Sequence, residues 1–388
     1  MNQEHAARIA QLEMARPALD DHRRAAKRRI PRVAWEYLDS GVAAESGLAR
    51  DRAGWEAVTL TPRHLADISA PDTAREIFGR RYVRPFGVAP IGLASLLWPG
   101  AEIMLAKAAR AAGGIFTLST VAGESIEAVG DAAPGSWFQL YAPNDAEMRA
   151  DIVARAQAAG FGALLVTCDV PIPSRRERQR RAGVGMPPKM TPAMIADLLM
   201  HPHWLAATLR RGVPTFETLV KYATPEDMRD VAAFVGRRIN QRITPEILAE
   251  LRRQWDGPLV VKGVLGVEDA RAALEAGADG VVVSTHGARQ FDAAPSSAEA
   301  LVRVKEAVGD RMTVLADSGL RSGHDLARAY ALGADACLLG RPFIWAAASA
   351  GAAGAAHAFH ALGDELTNVM HQLGAGRLDD LPGRLGQG

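Results

Sequence analysis

The sequence predicts an α/β fold, a TIM (β/α)₈ barrel, with an N-terminal helical segment and a long helical insert after strand 4. Three observations carry that reading. Eight short apolar runs recur from about residue 83 onward, most of them separated by helical segments. They run without polar alternation, as strands of a parallel sheet covered by helices must. Three helix exits share one wording, Ala159-Gly160-Phe161-Gly162-Ala163, Ala276-Gly277-Ala278-Asp279-Gly280 and Leu332-Gly333-Ala334-Asp335-Ala336. Glycine is favoured where a helix ends and the chain turns into a strand. The dinucleotide fingerprint is missing, which counts against the doubly wound sheet, the alternative architecture. Gly160-Phe161-Gly162 opens a strand instead of a helix and lacks the third glycine.

Composition narrows the class. A chain of 388 residues, 48% hydrophobic, has ample material for one large core. We read residues 1–388 as a single domain, the barrel over about 83–360 and the insert over about 178–243. A formal net charge of +1 and no recognisable binding signature argue against a nucleic-acid partner. Two cysteines inside apolar runs, Cys168 and Cys337, exclude a disulfide framework and favour a reducing compartment. The charged N-terminus predicts no secretory signal. No membrane span, which needs roughly 18–20 consecutive apolar residues, is expected. The expected location is cytoplasmic, with attachment to the inner face of the cell membrane as the alternative.

Residues 1–30 read as polar helix, with basic residues from His22 to Arg32 forming a solvated face; anionic lipid binding is the competing reading. Pro31 can begin a second helix carrying Trp35, Tyr37 and Leu38 to a stop near Gly41. The strand candidates then follow at Phe86–Pro90, Gly114–Ser119, Trp137–Tyr141, Ala163–Asp169, Pro258–Gly263, Gly280–Ser284, Met312–Asp317 and Ala336–Gly340. About ninety residues separate the fourth from the fifth, far more than an ordinary connection. Within them Thr191-Pro192, Thr224-Pro225 and Thr244-Pro245 each read as an N-cap followed by proline at the first helical position. Met190, Met194, Leu198, Leu199, Met200, Trp204 and Leu205 make the insert's most apolar part. An active-site lid is the first reading of it, a membrane-facing patch the second.

Barrel enzymes place their chemistry at the carboxyl ends of the strands. Here those ends carry Pro90-Ile91-Gly92, Ser119, Gln139 with Tyr141, Thr167 with Asp169, Lys262, Ser284 with His286, Asp317, and Gly340-Arg341. Each has a bland explanation, since serine, threonine and aspartate often terminate strands; all eight together do not. Asp317-Ser318-Gly319-Leu320-Arg321 and Gly340-Arg341 follow strands seven and eight, the usual barrel phosphate site. Ser119, Gln139 and Thr167 suit the edge of a planar heterocycle. Lys262 offers a fixed charge where a reduced flavin becomes negative. The run Ser284-Thr285-His286-Gly287-Ala288-Arg289 releases an imidazole base and a guanidinium fork from one strand end. Taken alone, that pair reads as a loop histidine and a surface arginine. Asp169 could hold His286 in its productive tautomer, leaving Arg176, Arg289, Tyr37 and Tyr141 for a small acidic substrate. No G-x-S-x-G elbow or P-loop is present, and His201-x-His203 lacks further ligands nearby, so no metal is expected.

With those residues in place, the chain resembles the FMN-dependent α-hydroxy acid dehydrogenases and oxidases, the flavin-type lactate dehydrogenases, mandelate dehydrogenases and glycolate oxidases among them. The likeness runs from about Lys27 to Leu381. Ser284-Thr285-His286-Gly287-Ala288-Arg289-Gln290-Phe291-Asp292 is its most specific piece. Tyr37–Gly41, Gln139–Tyr141, Thr167–Asp169, Arg175–Glu177, Val261–Gly263 and Gly340–Pro342 match as well. The resemblance implies His286 as the base, Asp169 supporting it, Tyr141 on the substrate hydroxyl, and Tyr37, Arg176 and Arg289 on its carboxylate. It implies FMN held by Pro90, Ile91, Gly92, Ser119, Gln139, Thr167, Lys262, Ser284, Asp317, Gly319, Arg321, Gly340 and Arg341. It further implies a quinone, a cytochrome or O₂ as electron acceptor, and a symmetric homo-oligomer, a tetramer. A flavin-barrel isomerase or peptide-modifying oxidase, and a flavin-binding protein without turnover, are the competing functions.

Four departures stand out. Thr285 replaces an asparagine, and Ser318 the first glycine of D-G-G; only tuning is expected of both. Gly92 stands where several oxidases carry alanine, and with Leu97-Trp98-Pro99 looks like the mandelate dehydrogenase branch. Val121 stands where glycolate oxidases carry tryptophan, which leaves room for a larger substrate side chain.

Overall fold

The computed structural model describes residues 3–185, 190–224, 226–227, 231–239 and 242–386. An antiparallel hairpin, β1 (Arg75–Ile77) and β2 (Arg80–Tyr82), precedes the barrel. The barrel itself is β3 (Phe86–Val88), β4 (Ile115–Ser119), β5 (Trp137–Leu140), β6 (Ala163–Thr167), β7 (Leu259–Val264), β8 (Gly280–Val283), β9 (Thr313–Ala316) and β10 (Ala336–Leu339). Each strand pairs in parallel with the next, and β10 pairs with β3 to close the ring. All eight expected strands form; seven are shorter by a residue or more, and the fifth keeps its length but is shifted by one residue, to Leu259–Val264.

Their apolar character follows from burial on both faces. Outward side chains such as Phe138, Leu164, Val166, Val281 and Val283 join the core beneath the surrounding helices. Inward ones, Ile115, Leu165, Val260, Val282, Leu315 and Leu338, fill the barrel itself. The hairpin is a feature the strand pattern did not predict. Its Ile77 and Tyr82 belong to the barrel's interior cluster, with Phe78 packed against it. The Trp137 indole N–H donates to the Tyr82 hydroxyl at 3.0 Å, and Phe78 lies 5.8 Å from the Trp137 ring. The hairpin therefore plugs the end of the barrel where the strands begin.

The N-terminal segment is two helices, Gln3–Ala15 and Leu19–Arg29, because Pro17 interrupts the backbone ladder. Its basic face is not uniformly solvated: His22 is fully buried, and the Arg29 guanidinium lies 4.2 Å from the Trp98 ring centroid. Both close on the last helix, Arg341–Leu373, which kinks at Gly351. That helix contains the uncharged stretch 342–363, alanine- and glycine-rich and largely buried against its neighbours. Among the described residues no helix is long and apolar enough to cross a membrane.

The insert is helical where described, with helices Glu177–Arg181, Pro192–Leu199, Pro202–Arg211, Val231–Arg238 and Pro245–Gln254. Thr191 and Thr244 cap as expected, accepting from Met194 N and Ile247 N. Thr224 accepts from Asp227 N, while the Pro225 of that expected pair lies outside the described residues. The insert's most apolar part faces out: Met190, Ile195, Leu199, Met200 and Leu209 are exposed, and only Trp204 is buried, its indole donating to the Leu96 carbonyl.

Candidate active site

The strands end in a polar layer that encloses a cavity of about 430 Å³, within the range of small-molecule and cofactor sites. Adjacent strands build it. Ser119 Oγ at the end of β4 donates to Gln139 Oε1 at 2.8 Å, and Gln139 Nε2 donates to Thr167 Oγ1 at 2.9 Å. Across the ring, Lys262 Nζ donates to Ser284 Oγ at 3.0 Å and pairs with Asp317 Oδ2 at 2.7 Å. Burial lowers the lysine's proton affinity, but the Asp317 and Asp169 carboxylates outweigh it and hold the ammonium above its usual range.

Beyond β8 the chain enters a left-handed run, His286 (φ 56°), Gly287 (φ 63°) and Ala288 (φ 56°). This turn swings the imidazole back over the barrel. His286 Nδ1 meets Asp169 Oδ1 at 2.9 Å, and Tyr141 OH meets Nε2 at 3.3 Å. Desolvation pushes the Asp169 carboxyl up, yet the His286 hydrogen bond and charge, with Lys262 behind, hold it below the usual carboxylate range. An ionised Asp169 can only accept, so in the neutral imidazole it selects the tautomer with the proton on Nδ1, which leaves Nε2 bare and facing the cavity. Asp169 reaches this position because Gly263, at φ 105° in a bulge of β7, has no side chain: a Cβ there would lie 2.4 Å from the Asp169 carboxyl carbon.

Arg289 follows on the same loop. Its Nη2 donates to the Tyr37 and Leu38 carbonyls at 2.5 and 2.6 Å, and its guanidinium lies 5.6 Å from the Tyr37 ring centroid. Tyr37 OH donates to the Gly92 carbonyl. Arg176, itself left-handed at φ 45°, is held by Ser174 and Gln290 at the cavity wall. Desolvation first, then the neighbouring Arg341 and Arg176 charges, bring Arg289 down to about 9. Desolvation likewise brings Arg321 and Arg341 to about 10. Among the described residues none of these three enters a direct ion pair; Asp39 and Asp51 act on Arg321 and Arg341 from further off, and Arg289 has no carboxylate facing it. A bound anion would offset the burial of that positive charge.

The expected site residues fall into two groups. Pro90, Ile91, Gly92, Thr167, Lys262, Asp317, Gly319, Arg321, Gly340 and Arg341 line the cavity with Tyr37, Tyr141, Arg176, His286 and Arg289. Ser119, Gln139, Ser284 and Asp169 stand behind that wall, bonded to the residues that form it. Sequence reasoning missed Val235, Gly236 and Ile239, which bring the insert's Val231–Arg238 region to the cavity. The part of the insert singled out as a lid, Met190–Leu205, does not line it. The sequence pattern included Gly263 in a motif but gave no role to it or to the carbonyl of Leu38, because both roles depend on approach distances that no motif reports.

The model of the FMN-dependent dehydrogenase family matches residues 26–386. This chain belongs to that family. The L-lactate dehydrogenase of Caulobacter sp. (strain K31) is 38% identical over 364 residues, 93% of this chain and 96% of that protein. A putative L-lactate dehydrogenase of Mycobacterium tuberculosis is 37% identical, covering 94% of this chain and 88% of the relative. Among solved structures, the monotopic membrane protein (S)-mandelate dehydrogenase superposes with a TM-score of 0.90 at 32% identity, over 96% of this chain and 99% of that one. A mandelate oxidase superposes at 0.82 and 35% identity, over 95% of this chain and 97% of its own. The cofactor of the FMN-dependent dehydrogenases also suits the geometry. The Arg321 and Arg341 guanidiniums, with the start of the helix Arg341–Leu373, offer an anion seat at one flank, and the polar layer from Ser119 to Lys262 offers hydrogen bonds at the other.

Proposed function

We propose that this chain oxidises an L-2-hydroxy acid, lactate-like or mandelate-like, to the 2-oxo acid. The observation that carries the reading is one cavity holding a bare imidazole nitrogen beside arginines with no direct ion pair among the described residues. The substrate carboxylate would enter between Arg289 and Arg176, with Tyr37 beside it, restoring charge balance. Tyr141, whose phenol burial and Asp169 push upward, stays protonated and can donate to the substrate oxygen. His286 Nε2 then takes a substrate proton, and Asp169 stabilises the imidazolium that results. Bound FMN supplies the two-electron acceptor for the carbon being oxidised. Pro90, Ile91, Gly92, Ser119, Gln139, Thr167 and Lys262 would hold its ring, and Ser284, Asp317, Gly319, Arg321, Gly340 and Arg341 its side chain and phosphate. The whole chain acts as one catalytic domain in this reading.

A Cβ at Gly92 would lie 2.8 Å from Val121 Cγ2 and 3.3 Å from Tyr37 OH. The two positions that depart from the oxidase pattern therefore touch, and together they open the cavity for a substrate side chain larger than glycolate's. The exposed apolar helices of the insert, with the likeness to a monotopic membrane protein, support docking on a membrane surface. A quinone or cytochrome is the acceptor that fits such a position; O₂ is the alternative, and a cytoplasmic homo-oligomer is compatible with both. Anaerobic mixing with L-lactate and (S)-mandelate should bleach the flavin absorbance, and reoxidation should be faster with a quinone than with air. Absorbance unchanged across a panel of 2-hydroxy acids would refute the reaction.

A further inference from the structure

The loop that carries His286 is strained. Two of its three consecutive left-handed residues are not glycine, and each such residue costs on the order of 1 kcal/mol or more. Strain of this kind persists only where neighbours over-determine it, and the neighbour here is Ser318. Its Oγ accepts from Thr285 N at 3.1 Å and from Gly287 N at 3.0 Å, the two amides flanking His286. The same hydroxyl donates to Asp317 Oδ1 at 2.7 Å. A hydroxyl has one donor and two acceptor sites, so all three are used. Asp317 pairs through Oδ2 with Lys262 Nζ at 2.7 Å, and as a carboxylate it can only accept. That fixes the hydroxyl rotor with both lone pairs toward the loop. Although Ser318 borders the cavity, its hydroxyl has no capacity left for a ligand.

Ser318 is itself left-handed at φ 70°, a conformation glycine would adopt freely. The chain thus keeps a side chain where backbone geometry favours none. What the strain secures is the pair of amide bonds to the loop. Thr285 adds a second tether, its Oγ1 donating to the buried Asp51 at 2.5 Å. The two departures from the family signature are therefore in contact with each other and act on one turn.

We propose that Ser318 is a positioning residue for the base: its hydroxyl clamps the 285–287 backbone so that His286 Nε2 faces the substrate, and ties that clamp to Lys262 through Asp317. The proposal rests on His286 being the base. Three variants test it in the FMN-loaded enzyme. Ser318→Gly removes the clamp and relieves the strain, Ser318→Ala removes the clamp and keeps the strain, and Ser318→Thr keeps the hydroxyl. Flavin reduction is followed anaerobically with the 2-hydroxy acid that reduces the wild type.

Both the glycine and the alanine variants should retain FMN and lose about 10- to 100-fold in the reduction rate at saturating substrate, as misplacement of a reacting group does. Their substrate dissociation constants should stay within about threefold, and Ser318→Thr should recover most of the rate. In a His286→Ala background Ser318→Gly should cost nothing further. Wild-type reduction by Ser318→Gly, or losses confined to substrate affinity or flavin retention, would overturn the proposal and leave the reaction assignment standing. A wild type that holds FMN yet is reduced by no 2-hydroxy acid would overturn both.

Discussion

At one end of the barrel the strands start against the β1–β2 hairpin, where Tyr82 packs edge to face on Trp137, Phe78 packs tilted against the same ring, and the indole N–H donates to the Tyr82 hydroxyl. At the other end the same strands release an ionised lysine, a histidine–aspartate pair, unpaired guanidiniums and a run of left-handed residues around a cavity. The first end lowers its free energy mainly by burying apolar surface. The second holds buried charge and a strained backbone beside a cavity. Stability and chemistry are thus separated along the strand direction, and a substitution should be felt as one or the other according to which end it touches.

The largest effect expected at the reactive end is His286→Ala. It should lower substrate-driven flavin reduction by roughly 10²–10⁴-fold, the contribution of a general base, with FMN retained and the thermal midpoint little changed. Fast reduction by the variant would erase the distinction between the ends. At the plugged end, Trp137→Ala should cost about 3–5 kcal/mol of stability by opening a cavity and removing the indole's bond to the Tyr82 hydroxyl. The flavoprotein that remains folded should be reduced at the wild-type rate; a parallel loss of rate would show that the hairpin reaches the site.

Arg289→Lys sharpens the comparison within the reactive end. The fork that now rests on the Tyr37 and Leu38 carbonyls becomes a point charge, and substrate affinity should fall about tenfold while the limiting reduction rate moves less. Equal affinity in variant and wild type would remove Arg289 from the carboxylate site.

The smallest effect lies outside both ends. His22 is buried between His357 and Ser349, and desolvation, followed by the His357 and Arg16 charges, holds its pKa down to about 3. Between that value and the unfolded pKa of about 6.5 the unfolded chain binds the extra proton, so stability falls as pH drops below about 6.5. From pH 7 to 5.5 the wild type should lose about 1 kcal/mol more than His22→Gln in denaturant titrations. Identical slopes would mean that His22 is protonated in the folded protein.

What this chain's order of residues settled unaided is the ring and most of its chemical equipment. Period and punctuation are local properties: apolar runs, glycine helix exits and polar strand ends are visible without knowing what lies opposite. The hairpin escaped because Arg75–Ile77 and Arg80–Tyr82 are three-residue strands whose apolar members are answered only across the barrel floor. The insert was legible as helices through its Thr-Pro caps, but which helix walls the cavity was not, since amphipathic patterns do not say what they face. Gly263 read as part of a motif; its reason is the Asp169 carboxyl, ninety-odd residues earlier, pressed against its Cα. Ser318 and Thr285 read as separate, harmless changes, and the fold joins them through the Ser318 hydroxyl and the Thr285 amide. Contacts of that kind are set by distances between remote segments, which closure of the ring decides and no local pattern carries.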